Sequence, residues 1–381
     1  MSNKEQRKAP VLRFKGFTDD WEQRKWKDIL LVNSGKDYKH LSRGSIPVYG
    51  TGGYMLSVDK ELSNVDAIGI GRKGTIDHPQ YLKAPFWTVD TLFFMTPKND
   101  INIDFAFGLS QTINWKKYDE STGLPSLSKK SIDNISIKLP NYNEQIKIGR
   151  IISQIDNVIS LQQRKLEYYR KLKKRLSNKV FSTENYGATV TLGKIFNTVT
   201  DYVANGSFKS LRENVKTYSN KNYAYLIRLQ DASNNWQGPW LYTDKKGYDF
   251  LKKSKLRPGD IIMANVGSVG KVFQVPDLSY PMTLAPNAIL LRSKAANNAF
   301  LFEFLRSDYG QNLVRKMTTP GVQNKINKTD FKKITIRLPK KEIQDKWASL
   351  FESLNQIELG QLSSISNLKE IKKFLLQNMF I

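Results

Sequence analysis

Residues 135–145 read ISIKLPNYNEQ, and residues 334–344 read ITIRLPKKEIQ. The second stretch starts 199 positions after the first, and the offset holds without a gap far beyond both. At that spacing Leu127 meets Ile326, Ile132 meets Phe331, Ile137 meets Ile336, Leu139-Pro140 meets Leu338-Pro339, and Phe181 meets Phe380. One register sustained over so long a stretch marks a duplication. Its period is close to half the chain, so there are two copies and not a solenoid.

Each copy follows the same local logic. ISIKL and ITIRL alternate apolar with polar residues, the period of a half-buried strand. Proline then withholds the next backbone donor and ends the strand. Beyond it the apolar spacing changes to three and four. In the first copy Ile148, Ile151, Ile152, Ile155, Val158, Ile159, Leu166, Tyr169, Leu172, Leu176 and Val180 fall on that pattern. In the second, Ile343, Trp347, Leu350, Phe351, Leu354, Ile357, Ile365, Leu368, Ile371 and Leu375 do. Both read as amphipathic helices of about forty residues, on the order of 60 Å long. A stripe of that length needs a partner. The other copy supplies one, which predicts an antiparallel coiled coil with internal pseudo-twofold symmetry. The basic run EYYRKLKKRLSNK (Glu167–Lys179) in the first helix fits solvation or nearby phosphate, and Tyr168 and Tyr169 are read as packing residues.

Between the helical segments lie two stretches rich in β-branched and aromatic residues, with frequent Gly and Pro. SIPVYGTGGYM, DAIGIGRKGTI and TVDTLFFMTP in the first predict short strands and turns, as do NYAYLIRLQDA, GDIIMANVGSVGKVFQV and NAILLRS in the second. FLFEFLRSDYGQNLVRKM (Phe300–Met317) predicts a helix. The expected fold class is α+β: two mixed α/β globular regions separated by two long helices. The expected divisions are 1–140, 141–182, 183–339 and 340–381. TENYGA (Thr183–Ala188) is polar and reads as a link, and the residues before Pro10 read as loose.

Composition narrows the function. The 381 residues carry 60 Lys+Arg against 35 Asp+Glu, a formal charge of +25. Such a field draws polyanions and releases counterions from a nucleic-acid backbone. A solvated basic surface is the bland alternative. The charge is spread along the chain, which argues against a membrane-surface segment, and no apolar run approaches a bilayer span. No secretory signal is expected at the start, and the setting is expected to be cytoplasmic. Cysteine is absent, which removes thiolate catalysis and cysteine-ligated zinc.

Catalytic motifs are missing. His40 and His78 stand far apart without metal-ligand spacing. GSVGKV (Gly267–Val272) lacks the first Gly and the final Ser or Thr of a phosphate loop. GIGRKG (Gly69–Gly74) is not a dinucleotide fingerprint, because no crossover helix is expected to follow. What recurs instead is a pair of Gly-rich basic loops, GRKGTI at Gly71 and NVGSVGKV at Asn265. A second pair precedes each repeated strand: STGLPSLSKK at Ser121 and TPGVQNKINKTD at Thr319. Any one of these is an ordinary surface turn. In matched places in both halves, they point to a two-headed nucleic-acid reader. The candidate DNA-binding residues are Tyr54, Arg72, Lys73 and Lys129 in the first half, and Ser268, Lys271, Gln323, Asn324 and Lys325 in the second.

The opening PVLRFKGFTDDWEQRKWKDI, the stretch LPNYNEQIKIGRIISQIDNVISLQQRKLEYYRKLKKRL and its second copy resemble the specificity subunit of Type I restriction-modification enzymes. The second copy departs in places, with Asn355 where the first has Asp156. The resemblance implies that 1–140 and 183–339 are target recognition domains, each reading one half of a split DNA sequence. It implies that the helices 141–182 and 340–381 set the gap and dock partners. Those partners would be two modification (methyltransferase) and two restriction (motor-nuclease) subunits on double-stranded DNA. S-adenosylmethionine, ATP and magnesium would belong to them, leaving this chain non-catalytic. The rival class is a stand-alone basic scaffold or regulator that binds nucleic acid without methyltransferase partners.

Overall fold

The computed structural model describes residues 9–182 and 187–381. Residues 183–186 of the expected link, and nearly all of the segment expected to be loose before Pro10, lie outside the described residues. The chain forms two compact units: residues up to Arg164 together with Gln361–Ile381, and Lys165–Gly360.

In the first unit, β1 (Glu22–Lys25) leads through α1 (Trp26–Ile29) into β2 (Leu30–Ser34). Next come β3 (Arg43–Gly50), β4 (Gly53–Val58), β5 (Ala67–Gly71), β6 (Gln80–Leu82), β7 (Trp87–Thr88) and β8 (Leu92–Pro97). α2 (Ile103–Thr112), α3 (Lys129–Asp133) and β9 (Ser136–Leu139) lead to the long α4 (Tyr142–Ser182). One sheet has the order β2-β8-β5-β6 and another β4-β3-β7. β9, the repeated strand, pairs antiparallel with β1, Ile137 opposite Arg24. The central strands β5 and β8 of the first sheet are buried on both faces along most of their length, and the sheet buries Val32, Ile68, Ile70 and Met95. Burial of this kind is the main stabilising term. Trp26 and Trp115 meet edge to face at 5.9 Å, and each indole N–H reaches a partner, Met95 Sδ at 3.1 Å and Ser110 O at 2.8 Å.

The second unit repeats the plan. It holds β10 (Ala188–Thr191), α5 (Leu192–Ile195), β11 (Thr198–Asp201), α6 (Phe208–Asn214), β12 (Ala224–Ile227) and α7 (Leu229–Ser233). Then come β13 (Tyr242–Thr243), α8 (Lys245–Phe250), β14 (Lys255–Leu256), β15 (Ile261–Ala264), β16 (Val272–Gln274), β17 (Met282–Leu284) and β18 (Ala288–Arg292). α9 (Asn298–Arg306), α10 (Asp308–Lys316), α11 (Lys328–Lys333), β19 (Thr335–Leu338) and α12 (Lys341–Asn378) complete it. The sheet β11-β18-β15-β16 matches β2-β8-β5-β6 strand for strand. The repeated strand β19 pairs with β10 as β9 does with β1. Trp26 N donates to Ile135 O, and Leu192 N donates to Ile334 O, both at 2.8 Å. The duplication therefore runs through the globular regions, where the sequence had shown only two loosely matched pairs of loops. The single helix expected over Phe300–Met317 is two helices. Ser307 breaks it: its backbone is extended, its hydroxyl donates to Phe304 O at 2.6 Å, and the same oxygen caps α10 by accepting from Gly310 N.

The two long helices take part in both units. In the second, Arg170 meets Glu358 at 2.7 Å, Lys173 bonds Asn355, and Phe181 stacks on Phe351 at 5.8 Å. Numbers rise on α4 as they fall on α12, so the helices pack antiparallel as expected. In the first unit, the related lysine Lys372 meets Asp156 at 2.5 Å. The Asp-to-Asn departure between the copies is answered in the second unit by Glu303, 3.8 Å from Lys173. The helix ends finish each core. Phe181 packs edge to face on Phe300 at 5.3 Å, and Phe380 stacks on Phe105 at the same distance. Phe105 and Phe300 hold the same position, each donating its N–H to the N-cap asparagine of its helix, Asn102 or Asn297. Each copy's helix thus closes the core of the other's unit. Gly108 permits this, because a Cβ there would lie 2.9 Å from the Phe380 ring.

Five residues expected in the seam, Val158, Leu172, Leu350, Ile357 and Ile371, are exposed, and Lys173 and Ser177 are buried instead. One partner helix covers only part of a three-four stripe, and the positions at its margin stay outside. Tyr168, expected to pack, is exposed as well. Much of the basic run is ion-paired: Lys171 to Glu167 at 2.6 Å and Lys174 to Asp308 at 3.1 Å, besides Arg170 and Lys173.

Candidate nucleic-acid interface

In the first unit β5 runs straight into Arg72-Lys73-Gly74. The chain doubles back so sharply that a Cβ on Gly71 would lie 2.0 Å from Thr75 O, and Gly74 has φ +83°. The loop's peptides point inward: Arg72 N donates to Thr91 O at 2.8 Å, Arg72 O accepts from Leu127 N at 2.9 Å, and Gly74 N donates to Pro125 O at 2.8 Å. Lys73 forms a β-bridge with Ser126. The Arg72 and Lys73 side chains are exposed, with the Arg72 guanidinium 5.7 Å from the Phe93 ring centroid.

The loop before the repeated strand is therefore bound to the Gly-rich loop. It is wound around Asp119, whose Oδ1 accepts from Ser126 N at 2.9 Å, Ser121 N at 3.0 Å and Ser121 Oγ at 2.8 Å. Those bonds, Ser126 first, hold its carboxyl below the usual range. Ser128 then caps α3, and Lys129 opens that helix with its side chain exposed. The β3–β4 turn closes the group. Gln80 donates to Gly50 O and Thr51 O, both at 3.0 Å, and Thr51 Cγ2 would lie 3.3 Å from a Cβ on Gly71. Tyr54, just past that turn, is 63% exposed, and its hydroxyl is 3.1 Å from Ser57 Oγ.

The second unit builds the same junction with other residues. β15 runs into Asn265–Lys271. Ile326 N donates to Asn265 O at 3.1 Å, Gly267 N donates to Asn324 O at 3.0 Å, and Val266 bridges Lys325. Leu127 and Ile326, paired by the 199-residue offset, do the same work in the two units. Gly267 and Gly270 hold the loop at φ +74° and +86°. Thr319 and Lys325 exchange both backbone bonds, at 2.8 and 3.1 Å, to close the second loop. Ser268, Lys271, Gln323, Asn324 and Lys325 are all exposed. The nine expected residues thus stand on two matched loop junctions, one per unit.

A further loop escaped sequence reasoning. Lys271 Nζ reaches Ser233 Oγ at 3.3 Å, which brings the segment after α7 to the junction. There Asn235 and Trp236 lie at φ +50° and +59°, and Asn234, Asn235 and Gln237 are exposed. Arg228 clamps the segment, with Nη2 2.6 Å from both Asp231 Oδ1 and Pro239 O. The run SNNWQGP was readable as a turn, but nothing local showed that it meets Lys271. Of the two histidines, His78 has its Nδ1 2.8 Å from Asp77 Oδ1, just past the Gly-rich loop, and His40 sits edge to face with Trp87 at 5.9 Å.

The chain matches the family model for the Type I restriction modification DNA specificity domain over residues 18–168 and again over 189–370. The chain belongs to this family. Its two matches coincide with the two structural copies, and it is a Type I specificity subunit. The specificity subunit of the Type I restriction enzyme MjaVIII of Methanocaldococcus jannaschii is 26% identical over 332 residues, 82% of this chain and 72% of that one. The fold is similar to the crystal structure of the S subunit of a Type I restriction-modification system from M. genitalium. That match has TM-score 0.67 and 16% identity, over 98% of this chain and 99% of that one. It is also similar to a chain from a structure addressing complex assembly and conformational transition of the type I R-M system, with TM-score 0.54, 14% identity, and coverage of 94% and 97%.

Proposed function

We propose that 1–140 and 183–339 act as target recognition domains, each reading one half of a bipartite DNA target through its loop junction. The observation that carries this is the matched junction itself. The same strand enters the same pair of bridged loops in both units, with different side chains presented. Equal architecture with unlike side chains suits two unlike half-sites. Arg72, Lys73, Lys129, Lys271 and Lys325 supply charge for phosphates, while Tyr54, Ser268, Gln323 and Asn324 supply contacts to base edges. The long helices set the gap between half-sites. Their uncovered apolar positions, Val158, Leu161 and Leu172 on α4 and Leu350, Ile357, Leu362 and Phe374 on α12, are exposed in a pattern that suits helical partners. Two methyltransferase subunits would seat there and two motor-nuclease subunits would complete the assembly in the cytoplasm. S-adenosylmethionine, ATP and magnesium then belong to those partners, and this chain contributes recognition alone.

Sequencing of methylated adenines in a host with and without the gene tests this reading. The expected result is one motif with two specified halves and an unspecified gap. Exchanging 189–337 for the matching segment of another family member should change one half alone. A single contiguous motif, or changes in both halves, would contradict it.

A further inference from the structure

A further sheet in each unit follows one pairing. β3 pairs antiparallel with β4 and parallel with β7, as β12 does with β13 and β17. The β3–β4 connection therefore corresponds to the β12–β13 connection. The first is the turn at residues 51–52, whereas the second spans residues 228–241 and carries α7. Both meet the Gly-rich loop of their own unit. Thr51 Cγ2 would lie 3.3 Å from a Cβ on Gly71, and Ser233 Oγ is 3.3 Å from Lys271 Nζ. This connection is thus a third limb of each junction, short in one unit and long in the other.

The long limb is tightly held. Arg228 donates to the buried Asp231 through Nε at 3.1 Å and Nη2 at 2.6 Å, and Nη2 also donates to Pro239 O at 2.6 Å, which ties the two ends together. Within the loop, Trp236 N donates to Asp231 O at 3.0 Å, Gln237 N to Asn234 O at 3.2 Å, and Asn234 Nδ2 to Gly238 O at 2.5 Å. Asn235 and Trp236 occupy the left-handed region in succession, at φ +50° and +59°. Asparagine tolerates that region and a bulky indole seldom does, so the surroundings impose it. Here the half-buried Trp236 packs on the cluster of Tyr225, Ile227 and Ala232, while Asn235 and Gln237 on either side of it are exposed. Among the described residues, neither of those two side-chain amides has a hydrogen-bond partner.

We propose that the β12–β13 connection is the base-reading limb of the second unit, with Asn235 and Gln237 hydrogen-bonding adenines in the major groove. The inference rests on that unit's reading DNA, and deepens it by naming the base and the residues. Each amide sets a donor beside an acceptor. Adenine alone among the bases presents the matching pair, N7 and the N6 amine, on its major-groove edge. Lys271, at the foot of the limb, supplies charge for a neighbouring phosphate. Because Arg228 and Trp236 fix the loop beforehand, little freedom is lost when the amides make contact. The turn in the first unit, Thr51-Gly52, carries no amide side chain, so this readout belongs to the second half-site alone.

The test uses the full chain assembled with its methyltransferase subunits, selecting from duplexes randomised over both half-sites. Asn235→Gly removes one amide and keeps the left-handed backbone. Gln237→Ala removes the other. Each is expected to lose the preference for one adenine of the second half-site and to weaken binding to the parent motif about tenfold, with the first half-site unchanged. Gln237→Glu leaves acceptors alone, and should move its position from adenine toward cytosine, a switch that a purely structural role does not produce. Weakening spread evenly over all sequences would overturn the inference, and so would preferences unchanged in both truncations. A parent assembly with no sequence preference in its second half-site would instead overturn the underlying reading.

Discussion

Asp77 shows how single residues hold the first loop junction. It follows the Gly71–Ile76 loop and meets Lys116 at 2.7 Å and His78 at 2.8 Å. Lys116 first, then His78, lowers its carboxyl to about 2. A depressed folded pKa contributes stability that is full above about pH 4 and drains away as pH falls toward 2. Asp77→Asn should therefore be less stable than the parent at pH 6, with the gap closing between about pH 4 and 2. Urea unfolding along a pH series measures this, and a gap that stays constant to pH 2 would contradict it. Arg13 makes a comparable anchor elsewhere: its guanidinium grips Glu144 with two bonds of 2.7 and 2.8 Å, and the Glu144 side chain is fully buried. Neither pairing was legible in the sequence. Asp77 and Lys116 are nearly forty positions apart, and Arg13 and Glu144 more than a hundred, so no periodic pattern links them.

At the scale of elements, the long helices were the most legible part. A three-four spacing over about forty residues leaves few other folds, and α4 and α12 span 41 and 38 residues. Which residues they bury was less legible. The stripe named Val158 and Leu172 but not Lys173, whose burial depends on Asn355 and Glu303 from other elements. Burial pushes the Lys173 ammonium down from its ordinary range. The exchange of helix ends yields a prediction for the element. Phe380→Ala should cost about 3–5 kcal/mol and raise hydrogen exchange in Ile103–Thr112, at the other end of the sequence. Phe181→Ala should loosen Asn298–Arg306 instead. Equal protection changes in both helices from either substitution would refute the exchange.

For the molecule as a whole, the proposed role of the helices is metric. Inserting two helical turns into both α4 near Gln162 and α12 near Gln361 should lengthen the gap by about three base pairs, at 1.5 Å per residue and 3.4 Å per pair. Both half-sites should stay the same, and methylation sequencing reads both quantities. Changed bases with an unchanged gap would refute the role.

By itself the sequence determined the duplication, the long helices, the basic character and the two pairs of loops, because each is written in local periodicity or in a fixed offset. Tertiary structure decided what those parts meet. It joined Lys73 to Ser126 and Val266 to Lys325, gave the two globular regions one sheet order, and brought Ser233 to Lys271. The physical reason is range: spacing reports which face of an element is apolar, whereas packing between residues a hundred positions apart is fixed only when the chain closes on itself.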